Sequence, residues 1–174
     1  MCGRLVFNFV LPWGNFLMYS CRPDGDFGGP FNSKNSNEPD EKALRSFLQG
    51  SKLYRDSRLK LISTINNGPF VVKKMVGSKP AIIGQKVETS YFGSIEEGYI
   101  EICLDVCKGS KLAHSITSAV CGHADHVTVD VGFTIEGTAK EFLPERLLCN
   151  IRLHHMALKK GCVTLDDWEK HFDY

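Results

Sequence analysis

The sequence predicts an α+β fold: a curved, mostly antiparallel β-sheet of about eight strands packed with two or three helices. Three observations carry this prediction. Gly98 to Val106 and His126 to Glu136 alternate apolar and polar residues at the period of two that a half-buried strand requires. Apolar residues recur at helical spacing from Pro39 to Gln49 and again after Ser110. Connections are short and show no β–α–β rhythm, so a parallel, doubly wound sheet is not expected. With 174 residues and no internal repeat, the chain reads as one domain.

Taken in order, Leu5 to Val10 and Phe16 to Cys21 are apolar runs broken by Pro12-Trp13-Gly14, which predicts an N-terminal hairpin or two neighbouring strands. Arg22 to Glu38 is rich in Gly, Pro and Asn with little to pack, and is expected to be a long mobile loop. Pro39 to Gln49 is a helix. Asn37 is placed to cap it, Pro39 suits its first turn, Asp40 and Glu41 suit its positive end, and Gly50 closes it. Its buried stripe is Leu44, Phe47 and Leu48.

Arg58 to Phe92 then reads as three consecutive strands. The first ends at Asn66-Asn67-Gly68, a strong hairpin signal because these residues tolerate positive φ. Phe70 to Val76 is the second, Gly77-Ser78-Lys79-Pro80 turns the chain, and Ala81 to Phe92 is the third. Gly84 inside that strand predicts a bulge or a close backbone approach.

Further on, Gly98 to Val106 faces Ile100, Ile102, Leu104 and Val106 inward. The helix after Ser110 buries Leu112, Ile116, Ala119 and Val120, and Gly122 ends it. From His126 to Glu136, Val127, Val129, Val131, Phe133 and Ile135 face the core, while Thr128, Asp130, Thr134 and Glu136 face away. Leu143-Pro144-Glu145-Arg146 turns into a last strand, Leu147 to Leu153. An amphipathic tail follows, with Thr164 and Asp167 as a capping box and Trp168 and Phe172 one turn apart.

Charge is unevenly distributed. From Ser51 to Ser90 eight basic residues stand against two acidic ones, a net +6, in a chain whose total is +1. Segregation of this kind makes a field that attracts anions. The candidate contacts are Lys60, Lys73, Lys74, Lys79 and Lys86, with Arg55 and Arg58 beside them. If Lys73 and Lys74 lie in a strand they point to opposite faces, so at most one sits on a plainly solvated face. A simpler use of the same lysines is to guard an edge strand against aggregation.

Other chemistries find little support. Seven cysteines without compact spacing, and no secretion signal, fit reduced thiols in a cytoplasmic compartment. Cys103, Cys107, Cys121, His123 and His126 do not suggest four converging zinc ligands, since Cys103 takes an outward strand face while Cys121 and His123 straddle a helix end. Glu101, Asp105, Asp130 and Glu136 lie on off-core faces of two strands that could be neighbours, yet a period-two row of acids is usually a solvated face. No nucleophile elbow, phosphate-binding loop or dinucleotide fingerprint occurs, and no cofactor is expected. Phe70, Tyr91 and Phe92 flank the lysines instead of alternating with them, which argues against a nucleic-acid stacking face. No stretch approaches the roughly 18 apolar residues of a transmembrane helix.

The strings NGPFVVKKMVGSKPAIIGQKVETSYF, GYIEICLDV, HVTVDVGFTIEG and LPERLLCNIRL, in this order and spacing, resemble the C-terminal domain of the plant Enhanced Disease Resistance Two family. The resemblance runs from about Val6 to Leu153 and implies that the chain starts inside the family domain, without its opening segment. In that family the domain usually follows a pleckstrin-homology domain and a START lipid-transfer domain, in proteins associated with phosphoinositides, membranes and restraint of defence. It therefore implies a non-catalytic, lipid- or membrane-associated regulatory module, cytoplasmic or peripheral on membranes. It transfers no binding residues, so the basic side chains named above are the expected contacts for anionic headgroups. Two other readings use the same sequence: a protein-interaction domain whose basic block meets an acidic partner, and, remotely, an enzyme of unknown reaction.

Overall fold

Among the described residues eight strands form, and tertiary pairing sorts them into two open four-stranded sheets. The structure is a computed structural model that describes residues 4–12, 14–21, 38–94, 96–158, 164 and 167. In the first sheet, β1 (Arg4–Leu11) and β2 (Gly14–Cys21) form the expected antiparallel hairpin. β5 (Glu88–Ser94) and β6 (Tyr99–Asp105) form a second, and β6 runs parallel to β1, giving the order β2-β1-β6-β5. In the second sheet every pairing is antiparallel: β4 (Ala81–Ile82), β3 (Leu59–Asn67), β7 (Thr128–Ile135) and β8 (Leu147–His154). The α+β class and the strand number are those the patterning predicts.

The two sheets meet face to face over one core. Leu5, Phe7, Ile100, Ile102 and Leu104 from the first pack with Leu59, Phe133 and Ile135 from the second. Phe7 and Phe133 stack at its centre, ring centroids 4.0 Å apart and 13° from parallel. Helix α1 (Pro39–Gln49) adds Ala43, Leu44, Phe47 and Leu48 to this core. Glu38 flanks its start without a side-chain cap, and Gly50 N–H donates to the Phe47 carbonyl. A smaller cluster of Ile65, Val72, Val127 and Val129 continues along the second sheet under helices α3 (Phe70–Val76) and α4 (Lys111–Gly122). Val131 touches both clusters and joins them.

Several expectations need correction. Phe70 to Val76 is a helix, not a strand. Gly68, at φ +144°, turns the chain off β3 so that no hairpin forms, and Pro69 opens the helix, where its missing N–H costs nothing. Val72 and Val76, four residues apart, meet the sheet, and Gly77 at φ +67° stops the helix with its N–H on the Lys73 carbonyl. The β-branched composition of this segment yields to packing, as β propensity commonly does. The stretch from Ala81 to Phe92 is broken into β4 and β5 by a 3-10 turn at Ile83–Gln85. There Gly84 makes the close approach its type suggested: a Cβ would lie 2.6 Å from the Asp56 Cα and carbonyl oxygen.

Leu112, expected in a buried stripe, is 65% exposed, because α4 meets the cores through Ala113 in its first turn and Val120 in its last, and Leu112 lies off that line. Thr128 and Thr134 are buried instead of facing solvent, since β7 is a central strand. Their hydroxyls are satisfied by His154 Nδ1 and by the Arg146 carbonyl, each at 2.7 Å. The acidic rows of β6 and β7 fall in different sheets and do not form one face. Thr164 and Asp167 interact as a capping pair, with Asp167 N–H donating to Thr164 Oγ1 at 3.2 Å. Asn37, the loop expected before Glu38, Trp168 and Phe172 lie outside the described residues.

Candidate functional site

The basic residues between Ser51 and Ser90 divide into a set bound within the fold and a set facing outward. Helix α2 (Lys52–Asp56) carries part of the first; Ser51 caps it, its hydroxyl accepting from Tyr54 N–H at 3.3 Å. Arg55 donates through Nε to the Phe47 carbonyl at 3.1 Å and through its terminal nitrogen to the Leu48 carbonyl. These are last-turn carbonyls of α1, beyond its regular i-to-i+4 bonding, and they carry the negative end of its dipole; Phe47 O also accepts from Gly50 N–H. The same guanidinium lies 5.0 Å from the Tyr91 ring centroid, and Arg58 sits 5.0 Å from that of Tyr54. Arg55 thus fastens α2 to α1 and to Tyr91, while Arg58 braces the exit of α2 against its own Tyr54.

Asp56 completes that attachment. It accepts from Tyr91 Oη at 3.0 Å, from the Thr89 hydroxyl, and from Lys52 Nζ at 2.5 Å. Burial and the Asp56 carboxylate together hold the Tyr91 phenol well above its ordinary range, against the opposing pull of Thr89 and Arg55. Lys60, on the outward face of β3, is 15% exposed and lies between Glu136 and Glu145, bonding Glu145 at 2.7 and 2.8 Å. Burial alone would lower its pKa, but the hydrogen bonds and charges of the two glutamates prevail and raise it. Glu145 also accepts from Gly137 N–H at 3.0 Å, so this lysine ties β3 to the loop before β8.

Lys73, Lys74, Lys79 and Lys86 form the outward set, all exposed. Lys73 reaches the Asn66 carbonyl at 3.4 Å, and none of the four has a carboxylate partner among the described residues. The helix reverses the expectation that Lys73 and Lys74 must diverge across a sheet: both sit on the solvated side of α3, away from the buried Val72. Lys79 lies in the turn between α3 and β4. Lys86 follows the 3-10 turn, its carbonyl accepting from Ser110 N–H at 3.3 Å at the start of α4. β4 pairs with Lys60 and Leu61, whereas α3 stands at the Asn66 end of β3, so the six-residue rise places these regions roughly 20 Å apart. The sequence block is therefore two regions linked by Lys79.

Beside Lys73 and Lys74, Phe70 and Val71 are 77% and 63% exposed. Sequence reasoning missed this pairing because it placed them in a strand. The signals for a helix were present in Pro69, Gly77 and the four-residue spacing of Val72 and Val76. Among the described residues no group of three His, Cys, Asp or Glu converges as a metal site would require, and no helix is long and apolar enough to cross a membrane.

A family model described as Protein ENHANCED DISEASE RESISTANCE 2, C-terminal, matches residues 3–157. The chain belongs to this family. An Enhanced Disease Resistance 2-like protein of Arabidopsis thaliana is 32% identical over 120 residues, which cover 69% of the chain and 16% of that relative. The chain thus spans a small part of that relative's length. No solved structure matches the chain. Membership in the Enhanced Disease Resistance 2 C-terminal family fits a regulatory domain, and the α+β architecture of two packed open sheets is the framework on which its basic regions are displayed.

Proposed function

We propose that this Enhanced Disease Resistance 2 C-terminal domain is a non-catalytic regulatory module that attaches peripherally to membranes through anionic lipid headgroups. The observation that carries the reading is the outward set: four exposed lysines without carboxylate partners among the described residues, on a chain whose other parts are net acidic. Lys73, Lys74, Lys79 and Lys86 make the headgroup contacts, while Arg55, Arg58 and Lys60 hold the elements that present them. Each lysine near an anionic leaflet contributes about 1 kcal/mol, so the four together favour the surface by about a thousandfold. The pleckstrin-homology and START domains associated with the family support a lipid setting, and phosphoinositide is the headgroup of choice.

Co-sedimentation with vesicles carrying a phosphoinositide, phosphatidylserine or neutral lipid alone, at low and physiological salt, tests this. The expected result is binding to acidic vesicles that is lost on Lys73→Glu with Lys74→Glu. Phosphoinositide binding that survives physiological salt marks a shaped headgroup site, and binding to any acidic lipid that vanishes with salt marks a charged face. Absence of binding to every vesicle would overturn the reading and turn attention to an acidic protein partner.

A further inference from the structure

From the exposed apolar pair at the start of α3 we infer that this helix is a membrane-penetrating wedge, in which Phe70 and Val71 enter the interfacial layer of an anionic bilayer beside Lys73 and Lys74. The inference rests on the membrane reading above and adds the element and the mode of contact.

A seven-residue helix ordinarily turns its large apolar side chains to the protein. Here Val72 does so completely, at 0% exposure, and Val76 packs beside it against Ile65 and Val127, so α3 is anchored. Phe70 and Val71 nonetheless stand almost free, at 77% and 63%. At 100° per residue Phe70 and Lys74 lie one turn apart on the outer face, with Val71 on one flank and Lys73 on the other. An aromatic and a β-branched residue in water, interleaved with two cations, match the distribution of an interfacial segment: apolar groups enter the acyl boundary while ammonium groups stay at the phosphates.

Charge selects the occupant. Glu and Asp are absent from Asn66 to Lys86, so nothing on this segment repels an anionic leaflet. The two apolar side chains project, and a soft bilayer receives a projecting wedge without needing a preformed pocket. Gly68 and Gly77, both at positive φ, bracket the helix and set it off from β3 and from the turn that follows.

Two double variants of the whole chain separate the contributions: Phe70→Ser with Val71→Ser, and Lys73→Gln with Lys74→Gln. All four positions are solvent-facing, so unchanged circular dichroism is expected and is checked first. With phosphatidylcholine vesicles containing phosphatidylserine, the serine variant should bind about tenfold more weakly or worse than wild type, and its remaining binding should vanish with salt. The glutamine variant should lose its preference for phosphatidylserine. A third variant, Phe70→Trp, adds an indole whose emission should shift to the blue on vesicle binding and be quenched by lipids brominated along the acyl chain. If the serine variant binds as wild type does and brominated lipid leaves that added emission unchanged, penetration is overturned while surface attachment stands. If wild type binds no vesicle, both fall. If an acidic protein, and no vesicle, protects Phe70 from solvent, the wedge is a protein contact and the inference is wrong.

Discussion

Asp130 lies where three strands of the second sheet meet on its outward face. Arg152 of β8 donates to its two oxygens at 2.6 and 2.7 Å, and Asn66 of β3 donates at 2.8 Å. These bonds hold the carboxyl down at about 2. A depressed carboxylate stabilises the fold above its unfolded pKa and loses that contribution as pH falls through the folded value. Asp130→Asn should therefore lower the urea midpoint at pH 6, with the gap to wild type closing between pH 4 and pH 2; a gap independent of pH would refute the linkage. Cysteines offer a second residue-scale test. Burial pushes the Cys149 thiol up to about 12, whereas Cys107 is exposed. At pH 8 iodoacetamide should modify Cys107 in the native protein and reach Cys149 only after unfolding, as peptide mass mapping would read.

Elements in this molecule depend on a few close contacts. The 3-10 turn at Ile83–Gln85 presses against α2 at Gly84, and the atoms facing a new Cβ belong to the Asp56 backbone, which cannot rotate aside. Gly84→Ala should cost on the order of 1–3 kcal/mol and loosen α2 together with its Arg55 anchor, measurable by denaturant unfolding and by loss of amide protection from Lys52 to Asp56. Helix α3 has a single fully buried side chain, so Val72→Ala should cost about 2 kcal/mol and open this helix preferentially. Equal loss of protection across both sheets would show instead that α3 and the main core unfold as one unit.

Across the whole molecule, stability concentrates where the sheets face each other. Phe133 is fully buried, stacks on Phe7 and meets Phe9 at 6.0 Å, so one side chain joins β7 to β1. Its truncation to Ala should cost about 3–5 kcal/mol and shift a single transition for both sheets. Separate transitions would mean that each sheet stands by itself. The basic charge, by contrast, is distributed between an internal set that fastens elements and an external set that faces solvent, and net charge alone does not distinguish them.

Local patterning determined most of the architecture by itself. The hairpin β1–β2, helix α1, the alternation of β6 and β7, and the final strand were legible because each depends on nearest-neighbour spacing and end residues. Resemblance in four ordered strings also identified the family. Tertiary structure alone decided which strands pair, since hydrogen bonding between β1 and β6 joins residues about ninety-five positions apart and leaves no local trace. It also decided between two local signals at Phe70 to Val76: the packing of Val72 and Val76 on the smaller cluster favours the helix that Pro69 and Gly77 bracket over the strand that the β-branched composition suggests. For the same reason the candidate surface was only half legible: composition showed that cations cluster, but not that Lys60 is held by Glu136 and Glu145 while Lys73 and Lys74 stand outside beside Phe70. A side chain's partners come from segments distant in sequence, and only the folded chain brings them within reach.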